Sequence, residues 1–261
     1  MENQPKRPYT DDYANYLLCL ALDVGENMLK CGGEVGRVED TIERICRAYG
    51  AEHVEVFSVI SFINAAIRMP DGSYSSQVRR VKSTSNNLSG LERYNALSRE
   101  ICRTTPPLEE FDEKVEETKK AKGYPLWFLM CSSAVSVGAF TLFFGGGFVD
   151  SVVAMIIGVF LSAIENVPSK RLNPMAKMVF SSFVAALLAL LAVKIGFGSN
   201  QDAIIIGSIM LLVPGLAFGT ALRDLLCGDL LAGSLKTVQA VLSALMIAFG
   251  YMLATIVAGG V

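Results

Sequence analysis

The sequence predicts an α-helical membrane protein in which five transmembrane helices follow a small cytoplasmic α+β domain. Residues 1–122 hold 17 Lys and Arg and 20 Asp and Glu, whereas residues 123–261 hold only 6 and 5. The second part instead contains five long uncharged runs, and the first part contains a segment rich in β-branched and aromatic residues between helical patterns. We therefore expect a cytoplasmic domain with a connector helix over 1–122 and a membrane domain over 123–261.

The predicted cytoplasmic domain opens with two helices. Apolar residues line one face of a helix over 11–30, and Gly32-Gly33 ends it. In a second helix, over about 34–49, apolar residues recur at spacings of three and four, which is typical of an amphipathic helix packed on a core.

A hairpin and two further helices complete this domain in the prediction. The stretch HVEVFSVISFINAAIRM, residues 53–69, predicts one strand, Asp71-Gly72 predicts a turn, and SSQVRRVKS alternates like the returning strand. Helical spacing returns in two segments, 88–104 and 107–122. The second of these is charged nearly all round, so we expect a solvated connector helix that leads into the membrane.

The membrane domain is predicted to cross the bilayer five times, because a spanning helix needs about 20 apolar residues. The expected spans are about 124–144, 148–166, 176–196, 202–222 and 237–258. The second span rests on the weakest pattern, since its uncharged run is short and has Asp150 and Glu165 at its ends.

Basic residues set the expected orientation. Nine flank the ends of these spans on one side and only Lys194 lies on the other; the nine are Lys114, Lys119, Lys120, Lys122, Lys170, Arg171, Lys177, Arg223 and Lys236. Cytoplasmic loops carry such an excess of Lys and Arg. The N-terminus is therefore expected in the cytoplasm, where its polar sequence shows no signal peptide, and the C-terminus outside after five crossings.

Several classes of function are disfavoured by the composition. A net charge of -2 gives no reason to expect nucleic acid as a partner. The six cysteines lack a CxxC spacing and His53 is the single histidine, so we expect isolated thiols and no bound metal or other cofactor. The sequence also contains neither GxxxxGK[ST] nor GxSxG, which disfavours ATP hydrolysis and a serine hydrolase.

The fourth expected span contains the most informative residues for function. Pro214-Gly215 interrupts its apolar run, and Arg223, Asp224 and Asp229 follow near its end. Transporters use such broken helices to face a substrate, although a proline kink can also serve packing alone. Anchoring at the cytoplasmic interface would explain Arg223 but not the two carboxylates.

Two stretches carry a resemblance to a known family. GGEVGRVEDTIERICRAYG in the first domain and LVPGLAFGTALRDLLCGDLLAGS in the fourth span resemble the threonine/serine exporter family, over roughly residues 11–261. This resemblance implies a multi-pass protein of the bacterial cytoplasmic (inner) membrane, in contact with lipid, that exports small metabolites by secondary transport and is not an enzyme. Proton coupling would then use carboxylates such as Asp150, Asp202, Asp224 or Glu165.

Family members that are single chains continue into a second membrane block. This sequence stops after five expected spans, so it resembles the first subunit of a split, two-subunit form, as in a bacterial succinate exporter. The resemblance therefore implies a hetero-oligomer with a second subunit of four or five spans. The substrate implied is a small carboxylate-bearing molecule, either a threonine- or serine-type amino acid or a dicarboxylate such as succinate.

Charged and polar residues outside the fourth span are further candidate site residues. Glu34, Arg37 and Glu39 are expected to form a cytoplasmic vestibule or docking surface, although a solvated helix face would place charges in the same way. Glu165 and Asn166 can line the cytoplasmic mouth of a pathway or simply cap the second span.

For the fourth span we expect Pro214-Gly215 to open the helix toward a central cavity. Arg223 would bind a substrate carboxylate at the entrance, because its planar fork matches a carboxylate bidentately. Asp224 and Asp229 would neutralise Arg223 when the site is empty. The alternative function is a membrane-anchored enzyme or sensor whose cytoplasmic domain carries the activity.

Overall fold

A computed structural model describes residues 11–82, 84–121, 123–166 and 173–259. The chain forms two compact units. The first unit consists of the described residues up to Gly123 together with Leu216–Thr237, and the second unit of Tyr124–Gly215 and the residues from Val238 onward. The domain boundary expected between residues 122 and 123 lies one residue before the point where the first unit gives way to the second. The sequence-based prediction, however, assigned residues 216–237 to the membrane domain.

The first unit packs helices against a three-stranded antiparallel sheet of order β1-β2-β3. Its elements are α1 (Asp11–Lys30), α2 (Val35–Ala48), β1 (His53–Val59), β2 (Phe62–Arg68), β3 (Tyr74–Arg80), α3 (Leu88–Thr104) and α4 (Leu108–Lys120). Helix α1 packs on β2 and β3, and α2 packs on β1. Buried Ile63, Ala65 and Ile67 alternate along β2 and meet the apolar faces of these helices in one core.

The single strand expected over 53–69 is wrong, because this stretch is the hairpin of β1 and β2. Val59 pairs with Phe62, so only Ile60 and Ser61 form the turn. Neither turn residue has a positive φ. The turn therefore needs no Gly or Asn, the residues by which a two-residue hairpin is usually recognised in a sequence.

The second unit is a helical bundle. It contains α5 (Leu126–Phe143), α6 (Phe148–Asn166), α7 (Pro174–Lys194), α8 (Gln201–Ile209) and most of α10 (Leu230–Val257). Among the described residues, four helices are long and apolar enough to cross a membrane, namely α5, α6, α7 and α10. Small buried residues such as Ala154, Ala185 and Ala189 let these helices approach closely, as in other membrane bundles.

The expected fourth span, 202–222, is not a single helix. Helix α8 ends at Ile209, residues 210–214 are not helical, and α9 covers Gly215–Leu226. At about 1.5 Å per residue, neither helix alone reaches across a hydrocarbon core of about 30 Å. Pro214 explains the interruption, because proline lacks the N–H that a continuous helix requires and clashes with the preceding turn.

Candidate functional site

A tight turn joins α9 to α10 and concentrates the charged residues of the fourth span. Gly228 has a φ of 95°, a conformation that glycine adopts without strain. The backbone N–H of Asp229 donates to the carbonyl oxygen of Asp224 at 2.9 Å, and α10 begins at once with Leu230. The turn therefore places both carboxylates and the first turns of α10 within the first unit.

Arg223 pairs with the N-terminal residue of the α2 motif. Its Nη1 lies 2.8 Å from Oε1 of Glu34, where the Glu34 side chain is 21% exposed and the Arg223 side chain 58% exposed. Arg37, one turn further along α2, is exposed, and its Nε lies 4.0 Å from Oε2 of Glu34. The structure thus brings together residues that are 189 positions apart in the sequence.

Asp224 does not neutralise Arg223, contrary to the sequence-based expectation. Its Oδ2 accepts from Nζ of Lys236 at 2.7 Å, and the two side chains are only 4% and 12% exposed. An ion pair withdrawn from water to this degree is costly to break from one side, because the remaining charge stays buried. Asp224 and Lys236 therefore hold α9 against the start of α10.

Asp229 lies against the α2 motif. A Cβ atom added at Gly36 would come within 3.2 Å of the Asp229 carboxylate, so glycine permits this close approach. Glu39 is half-buried on the next turn, and its Oε1 accepts from the backbone N–H and the hydroxyl of buried Ser58, at 2.6 and 3.1 Å. Burial raises the pKa of Glu39 above its ordinary value, the two bonds from Ser58 lower it, and the negative charge of Asp229 raises it further.

A small cavity of about 100 Å³ lies beside the Glu34–Arg223 pair, within the first unit. Polar groups of Glu34, Arg37, Asn86 and Thr220 line it, together with Cys31, Gly32, Leu88, Leu91 and Leu216. Burial raises the pKa of the Cys31 thiol, so this thiol stays neutral near pH 7. The cavity combines a carboxylate, a guanidinium, an amide and a hydroxyl in a volume of about three water molecules.

Replacing Glu39 with Gln is expected to stabilise the protein at neutral pH and to change little near pH 4. A raised pKa in the folded state means that the contribution of Glu39 is fully present below its unfolded pKa of about 4.3 and is lost as the pH rises through the folded value. Gln keeps the oxygen that accepts from Ser58. Thermal unfolding of the full chain at several pH values measures the effect.

The matched control is Glu43→Gln, which removes an exposed carboxylate of the same helix that pairs with Arg47. This variant should show no gain at neutral pH. A Glu39→Gln protein that unfolds at a lower temperature than the wild type at pH 7 would contradict the assignment of Glu39 as a disfavoured buried charge.

The remaining predicted site residues lie in the second unit. Glu165 accepts from the Ser181 hydroxyl at 2.6 Å and pairs with Lys177 at 3.4 Å, so it joins α6 to α7. The Asn166 side chain donates to the Ser162 carbonyl one turn earlier, as expected for a helix end. The basic residues Lys122, Lys170 and Arg171, used for the predicted orientation, lie outside the described residues.

Pro214 lines a separate, mostly apolar cavity of about 510 Å³ in the second unit, where Asp202 and Tyr251 supply polar atoms. Gly215 begins α9. Asp150, considered above as a proton carrier, is buried, and its carboxylate accepts from the backbone N–H groups of Gly147, Ser199 and Asn200. Asp150 therefore fixes the loop before α8.

Sequence reasoning missed several partners in these clusters. The sequence indicates only a topological role for Lys236, and no pattern points to Ser58 or Thr220. Lys236 follows Asp224 by 12 positions with a turn between them, so no helical spacing links the two. An isolated lysine at the start of a long apolar helix is the one signal that could have suggested a buried partner.

The family model for threonine/serine exporters, ThrE, matches residues 19–258. The chain belongs to the threonine/serine exporter family. It is 25% identical to the "Threonine/serine exporter" of Corynebacterium glutamicum, covering 85% of this chain and 47% of that protein. It is 22% identical to a "Probable threonine/serine exporter" of Mycobacterium tuberculosis, covering 85% of this chain and 42% of that protein.

The chain therefore spans less than half the length of both exporters. A family relative of similar length is the "Probable succinate transporter subunit YjjP" of Klebsiella aerogenes, which is 23% identical over 87% of this chain and 88% of that protein. No solved structure matches the chain. Membership of the threonine/serine exporter family and the four apolar helices together support a multi-pass membrane protein.

Proposed function

We propose that this chain is a subunit of a secondary transporter that exports small amino acids of the threonine and serine type. The observation that supports this substrate class is the Glu34–Arg223 pair beside a polar cavity. An amino acid carries one carboxylate and one ammonium group. Its carboxylate would replace Glu34 on Arg223, and the released Glu34 would accept from the ammonium group.

A dicarboxylate is the second candidate substrate. The succinate transporter subunit of Klebsiella aerogenes, which this chain matches over most of its length, favours it. Arg223 would bind one carboxylate in the same way. The second carboxylate would meet Glu34, and two negative charges in a small cavity repel each other. The charges of the site therefore favour the amino acid.

The proposed orientation places residues 11–121 in the cytoplasm and the C-terminus outside. In this proposal the fourth crossing covers about 202–222 and is broken at 210–214, where the chain is not helical. Transporters build substrate sites from such discontinuous helices, because unwound backbone is tolerated at membrane depth only where protein or a cavity surrounds it. Lys114, Lys119 and Lys120 before α5 agree with a cytoplasmic location of residues 11–121.

A second membrane subunit of four or five spans is proposed as the partner. The relative from Klebsiella aerogenes is named as a transporter subunit, and the single-chain exporters are more than twice as long as the part that this chain matches. We expect no transport when this chain is reconstituted alone, and export of threonine or serine when it is reconstituted with the product of a neighbouring reading frame.

The release of labelled threonine, serine or succinate from loaded vesicles measures transport directly. Empty vesicles and vesicles with the partner alone are the controls. Full transport by the purified single chain would contradict the need for a partner. Absence of transport with every partner, together with an enzymatic or ligand-sensing activity of the full chain, would instead favour the membrane-anchored enzyme or sensor.

A further inference from the structure

A cleft between α2 and α3, about 560 Å³ in volume, lies within the first unit and shares Arg37 with the cavity beside Arg223. Its size falls in the range of roughly 300–1,000 Å³ that small-molecule sites occupy. Arg37, Thr41 and Arg44 recur along one face of α2, and Asn95, Ser98, Arg99, Cys102 and Arg103 recur along the facing side of α3. Spacings of three and four residues place each set on a single helix face.

The charge of this cleft is strongly unbalanced. Four arginines line it, Arg37, Arg44, Arg99 and Arg103, against the single carboxylate of Asp40. Asp40 is already bound by Arg44, whose Nε lies 2.8 Å from its Oδ1. Within the described parts of the chain, neither Arg99 nor Arg103 has an ion-pair partner. All four arginines are exposed, so their guanidinium groups are open to an anion from solution.

The floor of the cleft adds neutral hydrogen-bonding groups. Thr41 and Ser98 are buried, and each hydroxyl donates to a backbone carbonyl of its own helix, which leaves its oxygen free to accept. The Asn95 side-chain amide donates one of its two N–H groups to the Leu91 carbonyl. In the described chain, its second N–H and its oxygen have no hydrogen-bond partner within α3. Guanidinium groups over hydroxyls and an amide complement a phosphate group with an attached polar body.

We propose that the cleft between α2 and α3 binds a phosphate-bearing anion. The guanidinium groups of Arg99 and Arg103 bind phosphate oxygens from α3, and those of Arg37 and Arg44 form the opposite side of the site on α2. Arg37 also lines the cavity beside Glu34, so a ligand that engages Arg37 draws it away from Glu34. The phosphate comes either from a soluble metabolite or from the headgroup of an anionic lipid, and both present the same chemistry.

Calorimetric titration of the full chain in neutral detergent with pyrophosphate tests this site. We expect saturable binding that is weakened at least about tenfold by Arg99→Gln with Arg103→Gln, because the double variant removes two of the four guanidinium groups that bind the phosphate oxygens. Arg47→Gln is the matched control, since Arg47 is an exposed arginine of α2 outside the cleft that pairs with Glu43. This control should bind pyrophosphate within about twofold of the wild type.

Nanodiscs separate the two sources of phosphate. If a lipid headgroup occupies the cleft, discs with phosphatidylglycerol suppress pyrophosphate binding compared with discs of phosphatidylcholine alone, and if the ligand is soluble, both discs bind alike. Either result supports the site, provided that the double variant Arg99→Gln with Arg103→Gln abolishes pyrophosphate binding. The proposal is overturned if the folded wild type shows no saturable binding in detergent or in phosphatidylcholine discs, or if the double variant and the Arg47 control bind equally.

Discussion

Replacing Glu34 with Gln is expected to weaken transport of a threonine- or serine-type amino acid by about ten- to a hundredfold, since a hydrogen bond to a charged group contributes about 1.5–3 kcal/mol. The variant removes the charge that would receive the ammonium group and leaves Arg223 without its partner in the empty site. A dicarboxylate should be transported at least as well as before, because the repelling carboxylate is gone. The same variant thus separates the two candidate substrates.

Efflux from reconstituted vesicles, at matched amounts of protein, measures this effect for each substrate. Glu43→Gln is the control on the same helix, with an exposed carboxylate outside the cavity. Arg223→Lys keeps the positive charge and should weaken both substrates, because Lys lacks the bidentate fork. Unchanged kinetics for Arg223→Lys would reduce Arg223 to a topological anchor, and unchanged amino acid transport by Glu34→Gln would remove Glu34 from the site.

Replacing Lys236 with Met is expected to destabilise the protein by about 3–5 kcal/mol, because the buried carboxylate of Asp224 would lose its only ionic partner within the described chain. Met keeps the length and apolar stem of the lysine side chain. The loss should appear as a lower unfolding temperature of the full chain in detergent and as reduced abundance in the membrane.

A second change tests the cause of this loss. Asp224→Asn in the Lys236→Met protein removes the orphaned charge and should recover much of the stability. Arg44→Met, which breaks the exposed pair with Asp40, is the control and should cost less than about 1 kcal/mol. A single Lys236→Met variant as stable as the wild type would show that Asp224 finds another partner or reaches water.

The helices could be predicted from the sequence because each carries its signal locally. Helix α1 covers Asp11–Lys30 and α3 covers Leu88–Thr104, both as expected, since apolar spacing and the flanking residues define them. The β1–β2 hairpin was missed for the opposite reason. Its turn uses Ile60 and Ser61, residue types that also occur within the strands themselves, so nothing in the sequence marks the turn.

The candidate site residues could be named from the sequence, but their pairing could not. Arg223 and Asp224 are adjacent, yet one meets Glu34 and the other Lys236. Neighbours on a helix point in directions about 100° apart, so each contacts a different element. Which elements these are depends on how α9 packs in the first unit, and hydropathy alone placed α9 with the membrane helices.

The two-part composition of the first unit has a consequence for synthesis. Residues up to Gly123 leave the ribosome well before Leu216–Thr237, and all of 124–215 must be made and inserted in between. Ala232, in the late part, belongs to the same buried apolar cluster as residues of α1 and α2. The nascent N-terminal part therefore waits with that surface uncovered and without the contact of Glu34 with Arg223, and membrane insertion of the second unit becomes a precondition for completing the first.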